Sequence, residues 1–476
     1  MTANTSIHMW ISYSQALLGA ILCCCAMSGL NQLDNFINCW FYYMDESNIL
    51  LTSNSTYQEI CEHADVSAEQ DVFEPYAFKW SLLTTLMFAS AIPGAMLFPV
   101  SDKYGRKALI IISCVFHILG TTCWAISFHL NSYLLMAVGS LLVGINGGAA
   151  VMIYPVYLVE IAPESKKGMF GASCQLGFNI GTSFSLFVGL EWILGKVDCW
   201  SWAIAAQIPL GFLHLVLIYF SVESPAWLKS VGEHEKADEA SMKLFGYAQF
   251  SHDQQTPPKN SLKKSSENDT FWSDYVTKTK KIFSDPEIRK PLITCLIFRS
   301  LQMTNGVLSF QVFSLTILQN SGVETSVANV SGLVISTISI FASLLALKMM
   351  KSQGLRRSYL LSAACAFVSI MTFFTLDFFV AENDVIAYIS IGALSMYVIF
   401  ANLGIMPIPF MLPALWLPEE YKSLITGLMA VAGLMINVPI SFLLPFLLYH
   451  IEGYTFLIFA TSIGASFVFG YFKMIE

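Results

Sequence analysis

Charge is what this 476-residue chain has least of: 12% of its residues are Asp, Glu, Lys or Arg, against 55% hydrophobic. So little polar surface excludes the two or three soluble domains that the length alone would suggest. Strict polar–apolar alternation is also scarce, which excludes a membrane β-barrel. No Cys/His spacing resembles a metal site, and no paired acids or nucleophile constellation of a hydrolase occurs. The chain is therefore not read as an enzyme, and no catalytic residue, metal, other cofactor or nucleic-acid partner is expected. Met1 to Trp10 lacks a basic region and a small-residue cleavage site, so no cleavable signal is expected and the first apolar run serves as its own insertion signal.

What is present is a succession of apolar runs, at 12–38, 78–100, 108–128, 133–158, 169–190, 200–221, 291–319, 327–350, 358–379, 385–414, 423–448 and 454–473. About 20 residues at 1.5 Å rise cross a hydrocarbon core of ~30 Å, and only helices hide the backbone of such runs in lipid. The fold class is all-α and polytopic, with twelve transmembrane helices in two six-helix bundles. A single Ser/Lys/Glu-rich stretch divides them. The expected divisions are an N-terminal segment 1–11, a first bundle 12–221 with an external loop at 39–77, a linker 222–290 and a second bundle 291–476.

Lys and Arg cluster in cytoplasmic loops. Lys103, Arg106 and Lys107 follow the second run, Lys166 and Lys167 follow the fourth, and the linker holds eleven more, whereas the opposite loops are nearly bare except for Lys196. Both termini and the linker are expected in the cytoplasm, most simply at the plasma membrane. The loop from Cys39 to Tyr76 has eight acidic residues, no basic one, and the glycosylation acceptor Asn54-Ser55-Thr56. That acceptor lies on the non-cytoplasmic side, where glycosylation is possible. Of eleven cysteines, eight lie inside apolar runs; Cys39, Cys61 and Cys199 face the oxidising side, which leaves room for one disulfide such as Cys39 to Cys61.

The two halves repeat weakly. Asp102-Lys103-Tyr104-Gly105-Arg106-Lys107 returns after the eighth run as Gly354-Leu355-Arg356-Arg357, and Glu160 to Lys167 returns as Leu415 to Lys422. These residues resemble the sugar porters of the major facilitator superfamily. Asp102 to Lys107 resembles the superfamily's loop motif. Tyr157-Leu158-Val159-Glu160-Ile161-Ala162-Pro163, Gln175-Leu176-Gly177, Glu223-Ser224-Pro225-Ala226-Trp227-Leu228 and Pro407-Ile408-Pro409 are together more specific. The likeness spans nearly the whole chain and is greatest to the facilitative hexose transporters of animals. It implies a solute transporter working by alternating access, with a hexose or similar polyol as substrate and the lipid bilayer as its setting.

The resemblance also implies a charge network that locks the halves at the inner mouth, formed by Asp102, Arg106, Lys107, Glu160, Lys167 and Glu223. In the second half Arg356, Arg357 and Lys422 face Ser352 and Leu415 where acids are expected, so a weaker latch is expected unless Glu419 or Glu420 substitutes. An uncharged polyol is held by many hydrogen bonds near the bilayer midplane. Gln175, Gln302 and Asn437 match sugar ligands of the family, Asn179 shares the face of Gln175 at i+4, Asn402 stands where an acid often contacts sugar, and Phe410 replaces a Trp. Each amide alone could equally serve an interhelical hydrogen bond. Pro407 and Pro409 predict a bend that lets one half-helix move.

Proton-coupled relatives carry Gly-Tyr-Asp in the first helix and an Arg in the fourth; here Gly29-Leu30-Asn31 and Ser140 stand instead. With both partners of that switch missing, facilitated diffusion is expected; Asp34, one turn from Asn31, reads as interfacial. Arg299 fits the hexose reading least. It either snorkels toward the interface or binds an anion, which keeps an organic anion such as urate open as substrate. A non-transporting sugar sensor is the remaining alternative.

Overall fold

The structure is a computed structural model that describes residues 6–30, 33–45, 70–248, 267–307, 325–377, 379, 384–417 and 421–474. Among these it is helical, with no strand. The first half comprises α1 (Ile7–Ser28), α2 (Asp34–Met44), α3 (Gln70–Ala95), α4 (Phe98–Tyr104), α5 (Arg106–His129), α6 (Tyr133–Glu160), α7 (Lys167–Val188), α8 (Trp200–Ala205) and α9 (Gln207–Phe220). Short helices α10 (Pro225–Ser230), α11 (His234–Phe245) and α12 (Glu267–Ser284) follow. The second half comprises α13 (Pro286–Met303), α14 (Thr325–Gln353), α15 (Leu355–Asp377), α16 (Asp384–Leu403), α17 (Ile408–Trp416), α18 (Lys422–Ile451) and α19 (Thr455–Lys473).

Ten stretches of the described residues are long and apolar enough to cross a bilayer, some built from two consecutive helices. The fifth run, α7, is not among them, nor is α13, the described part of the seventh run, whose residues from 308 on lie outside the described ones. Polar content is the reason: α13 carries Glu287, Arg289, Lys290 and Arg299, and α7 buries Ser173, Gln175, Asn179, Thr182, Ser183 and Ser185. A helix lined by its neighbours needs little lipid-facing surface, and α7 buries 15 of its 22 residues. These two helices also carry most of the amide candidates.

Close packing in the first half depends on missing side chains. A Cβ at Gly148 on α6 would lie 1.8 Å from the Ala91 carbonyl oxygen of α3, and one at Gly144 2.1 Å from that of Met87. Two backbones approach this closely only through small residues.

The first run differs from its expected span of 12–38. Ser6 caps α1 by accepting from the Met9 amide at 3.3 Å, so the helix begins at Ile7. It ends at Ser28, and α2 then continues through Cys39 to Met44, where a loop was expected. The cause is aromatic burial: Trp40 and Phe41 are fully buried, Trp40 packs 5.7 Å from Trp200, and Phe41 lies 5.4 Å from Tyr133. Cys39 is disulfide-bonded and Cys199 is free, while Cys61 lies outside the described residues.

The tenth run bends, as two prolines predict. Helix α16 stops at Leu403 and α17 begins at Ile408, so the chain turns through Gly404 to Pro407. In the linker, α11 sinks Ala237, Ala240 and Leu244 into the same core as Met9 and Ala16 of α1. This end of the bundle is called the linker end below. Glu419 and Glu420 lie outside the described residues.

Candidate functional site

The halves meet where α7 packs on α14 and α17, and where α3 and α6 pack on α18. At the first of these contacts the amides come together. Asn179 Nδ2 donates to Asn402 Oδ1 of α16 at 2.9 Å and to Ser343 Oγ of α14 at 2.7 Å. Gln175 Nε2 donates to Asn402 Oδ1 at 3.4 Å, and Gln175 Oε1 is buried without a partner among the described residues. Gln175 and Asn179 of α7, Asn402 of α16 and Ser343 of α14 therefore form one buried polar cluster across the interface. The adjoining cavity of about 150 Å³ is lined by Gln175, Ser343, Asn402, Pro407 and apolar neighbours. Almost none of that space would admit even a water molecule, so the halves are drawn together here.

Helix α13 brings Arg299 and Gln302 to the same face. Arg299 Nη1 donates to Gln302 Oε1 at 2.6 Å, and Gln302 Nε2 donates to the Met406 carbonyl oxygen in the turn before α17. The Arg299 guanidinium lies 4.3 Å from the centre of the Phe410 ring, and the Phe410 and Phe178 rings are 6.3 Å apart. Arg299 is 3% exposed and so does not snorkel: it stays among α13, α17 and α18. Asn437 of α18 is buried with Oδ1 unpartnered among the described residues, and it does not line the amide cavity.

Several members of the expected charge network meet at the linker end. Arg106 Nη1 meets Asp102 at 2.7 Å, and its Nη2 meets Glu160 Oε1 at 2.8 Å. Glu223 accepts the backbone N–H of Arg106 and of Lys107, each at 3.1 Å, while Lys107 Nζ donates to the Ser221 carbonyl oxygen at 2.7 Å. Burial pushes the Glu223 carboxyl above its ordinary value, outweighing hydrogen bonds from Ser224, Lys107 and Arg106 that act the other way. Among the described residues these contacts tie α4, α5 and α6 to the segment between α9 and α10. Lys167 pairs with Glu164, because a 3-10 turn over Glu164–Lys166 sets it three residues on and Arg106 already occupies Glu160.

In the second half Arg356 donates to the Tyr471 carbonyl oxygen at 3.0 Å and stacks on the Tyr471 ring, and Arg357 is exposed. The Lys422 side chain and the Asn54 acceptor lie outside the described residues. Among the described residues, apolar contacts join the halves at the linker end: a Cβ at Gly427 would come within 2.4 Å of the Phe98 ring, and one at Gly168 within 3.3 Å of Met411. Ser343 and Ser339, which accept from Asn179, were not singled out in the sequence, although Ser336, Ser339 and Ser343 form a hydroxyl stripe at helical spacing on α14.

Two six-helix halves around a buried polar interface define a polytopic membrane protein of the major facilitator fold. Solved structures agree: the proton:xylose symporter XylE bound to 6-bromo-6-deoxy-D-glucose superposes with TM-score 0.77 at 16% identity, covering 98% of this chain and 96% of that one. A partially occluded inward-open conformation of XylE from E. coli gives 0.69 at 16% identity, covering 98% and 100%. The model of the sugar (and other) transporter family matches residues 20–476, and the chain belongs to that family. Among curated relatives, facilitated glucose transporter member 3 of solute carrier family 2 from Oryctolagus cuniculus is 25% identical over 406 residues, 83% of this chain and 79% of that protein. Member 1 from Gallus gallus is 25% identical over 410 residues, 83% and 80%.

Proposed function

We propose that this chain carries a hexose or similar polyol across the membrane down its gradient, by alternating access of the two halves around the Gln175–Asn179–Asn402 cluster. The observation that carries the reading is the 2.9 Å hydrogen bond from Asn179 of the first half to Asn402 of the second, inside a buried, uncharged site. Such a bond is what substrate hydroxyls replace and later return, so opening and closing exchange one set of hydrogen bonds for another at little net cost. The unpaired Gln175 Oε1 accepts a hydroxyl at once.

Uniport fits the local chemistry. Asp34 accepts from Asn38 within α2 at 2.5 Å, and Ser140 accepts from Trp124 Nε1 at 3.1 Å, so each is committed to its own neighbourhood. Among the described residues no carboxylate lines the amide cavity. Helix α17 acts as the moving piece, hinged on Gly404 to Pro407 and gripped by Gln302 through Met406. Closure at the linker end is apolar, through Phe98 and Met411. In this reading the linker and both termini are cytoplasmic, the membrane is the plasma membrane, and Asn54 is glycosylated on the outer face. Uptake of labelled hexoses by proteoliposomes holding the purified chain tests it: saturable equilibration supports the proposal, and absence of saturable flux for every hexose overturns it.

A further inference from the structure

We infer that the site also takes a hexose bearing one carboxylate, with the carboxylate seated on Arg299; the inference rests on the hexose reading above. Arg299 stands 13 residues into α13 from Pro286, about 20 Å at 1.5 Å per residue, and is buried. Among the described residues no carboxylate pairs with it. One hydrogen bond, to Gln302, occupies a side chain with about five N–H donors.

A charge so placed is costly in lipid unless a partner neutralises it. The surroundings are shaped around the guanidinium. Phe410 stacks on one face, and Gly433 of α18 leaves the space in which a Cβ would come within 2.8 Å of Nε. The adjoining cavity, narrow with the halves drawn together, is lined by Arg299, Phe410, Thr426 and apolar residues, with Val151 contributed by the other half. A ligand there touches both halves, as a transported one must. A guanidinium fork presents paired N–H groups that match the two oxygens of a carboxylate, a geometry no hydroxyl reproduces. Gln302 connects this cavity to the amide cluster, since it accepts from Arg299 and holds Met406 beside Pro407. One sugar acid has hydroxyls for the amides and a carboxylate for the arginine.

The test is zero-trans flux of D-glucose and D-glucuronate into proteoliposomes containing the full chain, compared for the wild type, Arg299→Gln and Arg299→Lys. We expect saturable glucuronate flux in the wild type and a glucuronate-to-glucose ratio at least tenfold lower in Arg299→Gln, as loss of a charge-assisted pair implies. Arg299→Lys, which keeps the charge without the fork, falls between them. Glucuronate also raises the thermal midpoint of the wild type more than glucose does, a readout that needs no transport. Glucose flux without glucuronate flux in the wild type overturns the inference and leaves the hexose reading standing. A parallel fall of both fluxes in Arg299→Gln overturns it too, since Arg299 then only braces the turn before α17. Chloride-dependent glucose flux with no glucuronate flux assigns the arginine to an inorganic ion instead. Absence of both fluxes from folded wild type removes the hexose reading and this inference together.

Discussion

Replacing Asn402 by alanine removes the one acceptor that receives both Asn179 Nδ2, at 2.9 Å, and Gln175 Nε2, at 3.4 Å. Interhelical hydrogen bonds in membrane proteins average about 0.6 kcal/mol, so two of them contribute about 1.2 kcal/mol to holding the halves together. At 1.4 kcal/mol per tenfold, that is about a sevenfold shift away from the closed state. The same residue faces the cavity, so its loss also weakens substrate contact. We expect hexose uptake by proteoliposomes to show an apparent KM raised about five- to tenfold, with thermal stability in detergent changed little because Asn179 keeps Ser343 at 2.7 Å. The pair Asn402→Ala and Asn179→Ala should be non-additive by about 0.6 kcal/mol or more in a double-mutant cycle. KM and maximal rate both within twofold of the wild type would refute the reasoning, because the cross-half bonds then carry no weight in the cycle.

Arg106→Gln strands Glu160, and breaking a buried ion pair costs about 3–5 kcal/mol, somewhat less here because Glu160 is partly exposed; a lower unfolding temperature with flux per folded molecule largely kept is expected, and the reverse outcome would make the network a gate. The folded-state pKa of Glu223 lies above its ordinary 4.5, so its stabilising contribution is complete below that value and is lost as pH rises through the folded one. As pH rises above 4.5, wild-type thermal stability should therefore decline relative to Glu223→Gln, and parallel curves would contradict this. Gly148→Ala drives a Cβ against the Ala91 carbonyl oxygen, a backbone atom that cannot swing away, so overpacking of about 1–3 kcal/mol is expected as a lower thermal midpoint.

Much of the fold was legible because lipid imposes one rule on every span: about 20 apolar residues, with polar groups turned inward. The same rule made α7 and α13 the polar runs, and both carry candidate ligands. The bend at Pro407 and Pro409 followed from their missing N–H groups. What the sequence hid were choices between equivalent partners. Lys167 had acids at Glu160 and Glu164 within reach, and only the 3-10 turn after α6 selects Glu164. The apolar contact of Phe98 with Gly427 looks, in sequence, like any buried Phe and any small residue. Helix α2 was missed because an acidic loop follows it, although Phe36, Ile37, Trp40 and Phe41 already repeat at helical spacing. Arg299 was legible as an oddity, but its stack on Phe410 and the space left by Gly433 required three helices to be placed.

The central claim is passive transport by two halves meeting at an uncharged amide cluster. The measurement that tests it most directly is D-glucose uptake into proteoliposomes under an outward glucose gradient of zero, with and without an imposed pH gradient of about one unit, for which a tenfold proton ratio supplies about 1.4 kcal/mol. The account predicts saturable uptake that stops at equal internal and external concentration in both cases. Accumulation above the external concentration, appearing only with the pH gradient, would contradict it.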